Sequence, residues 1–182
     1  RVQSPDSGET RYAYNALGHL REKPTSEQSV TTYEYDARER LIGECGLTGC
    51  RRYSFTPVTL GCPSFVQRFT EGRLSRAEYP GGVTYFSYTP FGEIETTQEA
   101  DDTSSCAFIT TRYSFDDLGR LTQITYPSSR RVRLEYDPGD RYPSRITLLD
   151  GEGLKNLMTR ITYDVGGALK TFQAGRVTVS LA

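Results

Sequence analysis

Between Arg131 and Tyr136 the side chains alternate. Arg131, Arg133 and Glu135 are polar, while Val132, Leu134 and Tyr136 are apolar or aromatic. A period of two predicts a β-strand with one buried and one wet face. Thr122-Gln123-Ile124-Thr125 after Leu121 predicts a returning strand, and Tyr126-Pro127 closes it with a turn. No run of 18 apolar residues occurs, so the pattern holds no helix of membrane-spanning length.

The pattern repeats as Tyr-x-Tyr/Phe-Asp-x-x-Gly-x-Leu. The cleanest copy is Tyr113-Ser114-Phe115-Asp116-Asp117-Leu118-Gly119-Arg120-Leu121. Others run from Tyr12 to Leu20, from Tyr33 to Leu41 with Glu39 in the glycine position, from Phe86 to Ile94 without the aspartate, and from Ile161 to Leu169. Weaker copies centre on Phe55, on Phe69 with Gly72-Arg73-Leu74, and on Tyr136-Asp137-Pro138-Gly139. The anchoring aromatics, at 14, 35, 55, 69, 88, 115, 136 and 163, recur at a spacing near twenty, the length of a hairpin with its connection. In each turn the aspartate side chain accepts from a backbone N–H two residues on, and glycine takes the positive φ that reverses the chain. The tyrosine ring packs on the neighbouring hairpin and its hydroxyl is solvated or finds a partner. One hairpin is marginal in water, and stacking buries a continuous face. The expected fold is therefore all-β, an array of about seven antiparallel hairpin units forming one repeat domain over residues 1–182. Residues 43–65, with cysteines and the weakest copies, are expected to hold an insertion.

Composition fits this. The 13 Tyr and 8 Phe supply apolar area that a 36% hydrophobic content otherwise lacks, and 17 Gly with 9 Pro favour turns over helices. With 22 Lys plus Arg against 23 Asp plus Glu, no global charge argues for nucleic acid or an anionic membrane. The first residues, Arg1 to Asp6, lack the apolar segment of a signal peptide, and a start at Arg1 is expected of a processed product or a piece of a longer protein.

These motifs resemble the YD repeats, also called RHS repeats, of bacterial RHS proteins, of the C component of insecticidal toxin complexes, and of teneurins. The resemblance runs from Tyr12 to about Phe172. It implies a curved or spiralling strip of hairpins, part of a shell that encloses a toxin polypeptide in the toxin relatives and belongs to an extracellular adhesion module in teneurins. It also implies a secreted or cell-surface location. The chain is far shorter than a closed shell needs. No terminal RHS core with its aspartyl self-cleavage site is found, and Tyr136-Asp137-Pro138-Gly139 sits in an ordinary repeat, so no protease activity is assigned to it.

Candidate chemistry is sparse. Cys45, Cys50 and Cys62 could offer three thiolates to zinc, but the spacing is poor and Cys106 lies far downstream. A Cys45–Cys50 disulfide across Gly46-Leu47-Thr48-Gly49 and buried free thiols stay open as the two other readings. The only histidine, His19, stands where other copies have Arg40, Arg73 or Arg120, a place expected to face solvent. Asp101-Asp102 and Asp116-Asp117 read as solvated turns, Gly81-Gly82 and Gly166-Gly167 as hairpin reversals, and Arg51-Arg52 and Arg130-Arg131 as small basic spots. No catalytic, cofactor-binding or metal site is assigned. The expected function is a structural wall segment enclosing a toxin or serving as a rigid scaffold. Its expected partners are neighbouring repeats of the same polypeptide and a toxin cargo. An open-ended strip is also expected to associate with further repeats. The alternative is an extracellular module that binds a glycan or a surface protein.

Overall fold

A computed structural model describes residues 2–4, 8–10, 12–26, 29–102 and 106–181. Arg1, Pro5, Asp6 and Ala182, on which the reading of the chain's ends depended, lie outside the described residues. Among the described residues every regular element is a strand. In order these are β1 (Val2–Ser4), β2 (Gly8–Thr10), β3 (Ala13–Tyr14), β4 (Leu20–Ser26), β5 (Ser29–Tyr35), β6 (Leu41–Gly46), β7 (Gly49–Ser54), β8 (Arg76–Tyr79), β9 (Gly82–Tyr88), β10 (Ile94–Ala100), β11 (Ile109–Phe115), β12 (Leu121–Thr125), β13 (Arg131–Glu135), β14 (Arg145–Asp150), β15 (Gly153–Tyr163), β16 (Leu169–Ala174) and β17 (Val177–Ser180).

The strands fall into two compact units. The first comprises Arg1–Ser87 with Gln98–Phe108, the second Tyr88–Thr97 with Ile109–Ala182. Within the first, β1 pairs with β2, and β3 to β9 lie side by side in chain order, each antiparallel to the next. Within the second, β11 to β17 do the same. This is the all-β hairpin array that the alternation predicts. Chain-order pairing follows from the short turns, because an antiparallel neighbour can be reached in a few residues whereas a parallel one needs a crossover.

The expected alternation governs the second unit. Tyr113, Ile124, Val132 and Leu148 stand opposite one another across four strands, with Leu134 and Ile146 beside them on the same face. The first unit has a denser centre. Val83 is wholly buried, Tyr85 is 2% exposed, and both pack with Ala100. The cover comes from the connection between β7 and β8, residues 55–75, whose Val58, Leu60 and Phe65 lie on this cluster together with Phe108. Phe65 meets Tyr85 edge-on at 5.0 Å between ring centroids, and Phe108 completes the aromatic triangle at 5.7 and 6.0 Å.

Polar side chains pin this cover where no strand can. Gln67 accepts from Val58 N–H and donates to Ser75 O, while Gln98 accepts from Val66 N–H and donates to Ser64 O. Thus two glutamine side chains partner four backbone groups of this irregular, partly buried segment. Residues 43–54 of the stretch expected to hold an insertion form regular strands β6 and β7. The irregular chain begins at Phe55 and returns at Ser75, whose N–H donates to Ser54 O and restores the ladder. Phe69, read as a repeat anchor, lies in this connection and not on a strand.

Candidate functional site

The repeated turn is the structure's recurrent polar site. In the copy at Asp116, one carboxylate oxygen accepts from Leu118 N–H at 3.0 Å and Arg120 N–H at 2.9 Å. The same pair of bonds recurs at Asp36, where Arg38 and Arg40 donate, and at Asp164, where Gly166 and Ala168 donate. Asn15 does this for Leu17 and His19, and the Thr89 hydroxyl oxygen does it for Gly92 and Glu93. A side-chain oxygen thereby satisfies two N–H groups that the tight turn withholds from the ladder. The fourth residue takes positive φ, +73° at Gly119, and the turns at Asn15, Asp36, Asp116 and Asp164 are accompanied by a register shift that marks a bulge. In the copy lacking glycine, Glu39 itself adopts φ 65°.

The residue after the glycine does more than the sequence suggested. Arg120 Nε donates to the second Asp116 oxygen at 2.7 Å, its guanidinium lies 4.5 Å from the Tyr136 ring centre, and it also donates to Asp140 O. Arg40 repeats the arrangement with Asp36 at 2.8 Å, the Phe55 ring at 4.1 Å, and Gly72 O at 3.1 Å. His19 takes the same place: its side chain is 25% exposed and its ring lies 4.9 Å from that of Tyr35. The expectation that this position faces solvent is therefore corrected. The side chain is half-buried because it forms the plate on which the next repeat's aromatic rests.

The aromatic answers with its hydroxyl. Tyr35 donates to Leu20 O at 2.9 Å, Tyr136 to Leu121 O at 2.8 Å, and Tyr163 to Pro143 O at 3.0 Å. Under Tyr163 the plate is Tyr142, which follows the preceding turn at Asp137 and stacks at 4.7 Å. The motif residues thus form a clamp: the aspartate shapes a turn, the arginine joins that turn to the next aromatic, and the tyrosine ties back to the strand after the previous turn.

The electrostatics follow from this geometry. The Arg40 guanidinium, then the backbone N–H of Arg40, hold the Asp36 carboxyl below its ordinary value against a smaller opposing effect of burial. Burial pushes the Asp116 carboxyl up, but hydrogen bonds from Arg120 N–H, its guanidinium and Leu118 N–H together leave it lowered. Burial pushes the Tyr136 and Tyr163 phenols up.

The remaining candidates are scattered. The four cysteines form two disulfides, Cys45–Cys50 and Cys62–Cys106, so the thiolates of the zinc reading are consumed and the free-thiol reading is corrected. The second pairing escaped the sequence because residues 44 apart meet only when the 55–75 connection folds over. Asp101 and Asp102 are exposed at a bend, whereas Asp116 is tied into its turn beside exposed Asp117. Arg51 pairs with Glu44 at 3.3 Å. Gly81 and Gly167 have φ of +94° and +83° at hairpin reversals. Asp137 accepts from the Ser144 hydroxyl at 3.1 Å. An open groove of about 760 Å³ in the first unit is lined by Glu44, Leu47, Arg51, Tyr53, Tyr79 and Pro80, among others.

Fold and clamp define a tandem β-hairpin repeat protein, in which the turns at Asp36 and Asp116 are locked to the next repeat by an aspartate, an arginine and an aromatic ring. Residues 115–154 match the family model described as RHS Repeat. No curated protein sequence matches it. Among solved structures it is similar to TcdB2-TccC3 without its hypervariable C-terminal region, with TM-score 0.73 and 18% identity over 99% of this chain and 10% of that one. TcdB2-TccC3-Cdc42 gives TM-score 0.71 and 18% identity over 95% and 9%. A Photorhabdus luminescens Tc holotoxin pore gives 0.70 and 19% over 95% and 9%. These likenesses establish the fold, and the chain spans about a tenth of the length of those chains.

Proposed function

We propose that this RHS-repeat segment forms part of the wall of a β-shell that encloses a toxin polypeptide, or of a rigid scaffold of the same construction. The observation that carries the reading is the clamp. Its groups are committed to joining one repeat to the next, as at Asp116, Arg120 and Tyr136. A residue set so occupied holds a sheet together, which supports a mechanical role over an enzymatic one. Neighbouring repeats of the same polypeptide are its first partners, and an enclosed cargo is the second.

The two disulfides support a secreted or cell-surface location, since such bonds persist in oxidising compartments. The structural likeness to Tc toxin components supports the shell over the adhesion module. The test is to sequence the reading frame on both sides of this segment and image its purified product by electron microscopy. Hollow particles that protect an internal polypeptide from protease support the reading. Solid or extended particles that leave every segment open to cleavage overturn it.

A further inference from the structure

One face of the second unit has a chemistry of its own. The register places Arg112 opposite Thr125, Thr125 opposite Arg131, and Gln123 opposite Arg133, so these side chains share a face. Glu135 and Arg145 are opposite one another on that same face. Across β11 to β14 the paired positions of this face thus carry four arginines against one carboxylate, in a chain of formal charge −1. That carboxylate, Glu135, is already paired with Arg145 at 3.1 Å. Among the described residues no carboxylate pairs with Arg112, Arg131 or Arg133, and all three are exposed. The opposite face carries the apolar row from Tyr113 to Leu148, so packing of the sheet does not account for the arginines.

We infer that this arginine face is a docking surface for an acidic polypeptide in extended conformation. Arg131 and Arg133 are two residues apart on one strand, hence about 6.8 Å apart, the spacing of alternate side chains in an extended partner. Carboxylates at every second position can therefore meet successive guanidinium groups. Arg112, two strands away at about 9.6 Å, gives the surface breadth. Arg133 is oriented beforehand: its Nε donates to Gln123 Oε1 at 3.2 Å, and Gln123 in turn donates to Thr125 at 3.1 Å. Single-stranded nucleic acid shares the charge and a similar repeat, but it needs aromatic platforms for its bases, and the paired positions of this face from β11 to β14 carry none. The inference stands apart from the wall reading, since an acidic segment can dock on this face whether or not a shell is built.

The test is fluorescence anisotropy of the full chain with a labelled twelve-residue peptide of alternating Glu and Ser. Saturable binding is expected, weakening as salt rises from about 50 to about 300 mM. Arg131→Gln should weaken it about threefold, and Arg112→Gln/Arg131→Gln/Arg133→Gln by more than about tenfold. Lys155→Gln, opposite Leu148 on the other face, should leave it unchanged. Circular dichroism and thermal melting confirm that the variants fold, as expected for exposed positions. Absence of saturable binding overturns the inference, as does equal binding by the triple variant. Tighter binding of a length-matched oligothymidylate also overturns it in favour of a nucleic-acid surface.

Discussion

Removing the two disulfides separately should give unequal losses of stability. Cys62–Cys106 closes a span of 44 residues and Cys45–Cys50 one of 5. A cross-link restrains the unfolded chain more when the loop it closes is longer, and the loop-entropy relation gives about 4 kcal/mol for the first and about 2 kcal/mol for the second. The folded state adds to the difference in the same direction. Cys45 and Cys50 are already held opposite one another by the β6–β7 ladder, whereas Cys62–Cys106 fastens the 55–75 connection beside Phe108. The perturbations are Cys62→Ser/Cys106→Ser and Cys45→Ser/Cys50→Ser, each replacing both thiols so that none remains to exchange. Under non-reducing conditions the first should lower the melting temperature by about 8–16 °C and the second by about 4–8 °C for a chain of this size. Urea denaturation followed by circular dichroism gives the free energies. A cost for the Cys45–Cys50 pair equal to or greater than that for Cys62–Cys106 would refute the reasoning, because loop length would then not be the controlling quantity.

The clamp predicts three further outcomes. Tyr136→Phe keeps the ring under Arg120 but deletes the hydroxyl bonded to Leu121 O, and should cost about 1 kcal/mol in urea denaturation. Glu39→Gly should stabilise the chain by up to about 1 kcal/mol, since glycine adopts the φ of 65° without the penalty a Cβ brings and Glu39 contributes only an exposed contact to His19. An unchanged or lowered urea midpoint would show that this turn is not strained. Acid should weaken the fold through Asp36 and Asp116. Both are depressed in the folded state, so their contribution is fully present above the ordinary value near 3.8 and is lost as pH falls through the lower folded value. Urea midpoints measured from pH 7 down to pH 2 should fall in that lower window, and Asp36→Asn/Asp116→Asn should flatten the fall. An equally steep decline in the double variant would place the acid sensitivity elsewhere.

The arginine face and the clamp differ in how far the sequence revealed them. Arg131-Val132-Arg133-Leu134-Glu135 displays its alternation directly, yet only the pairing of β11, β12 and β13 brings Arg112 onto the same face. The position shared by His19, Arg40 and Arg120 was visible as a column of the repeat. Its role was not, because a long cationic side chain in a turn reads as solvated until the next repeat's aromatic is known to lie under it.

What the sequence determined by itself was local. The period of two places the strands, Asp36 and Asp116 shape their turns through atoms within four residues, and Gly18 and Gly119 supply the backbone conformation that reverses the chain. These interactions require no distant partner, so the residues alone specify them. The tertiary structure decided what joins residues remote in sequence: the Cys62–Cys106 bond, the glutamines that pin residues 55–75 over Val83 and Tyr85, and the carbonyls chosen by Tyr35, Tyr136 and Arg40. Those choices depend on which surfaces the stacked hairpins bring within hydrogen-bond or ring-contact distance, a property of the assembled sheet and not of any single repeat.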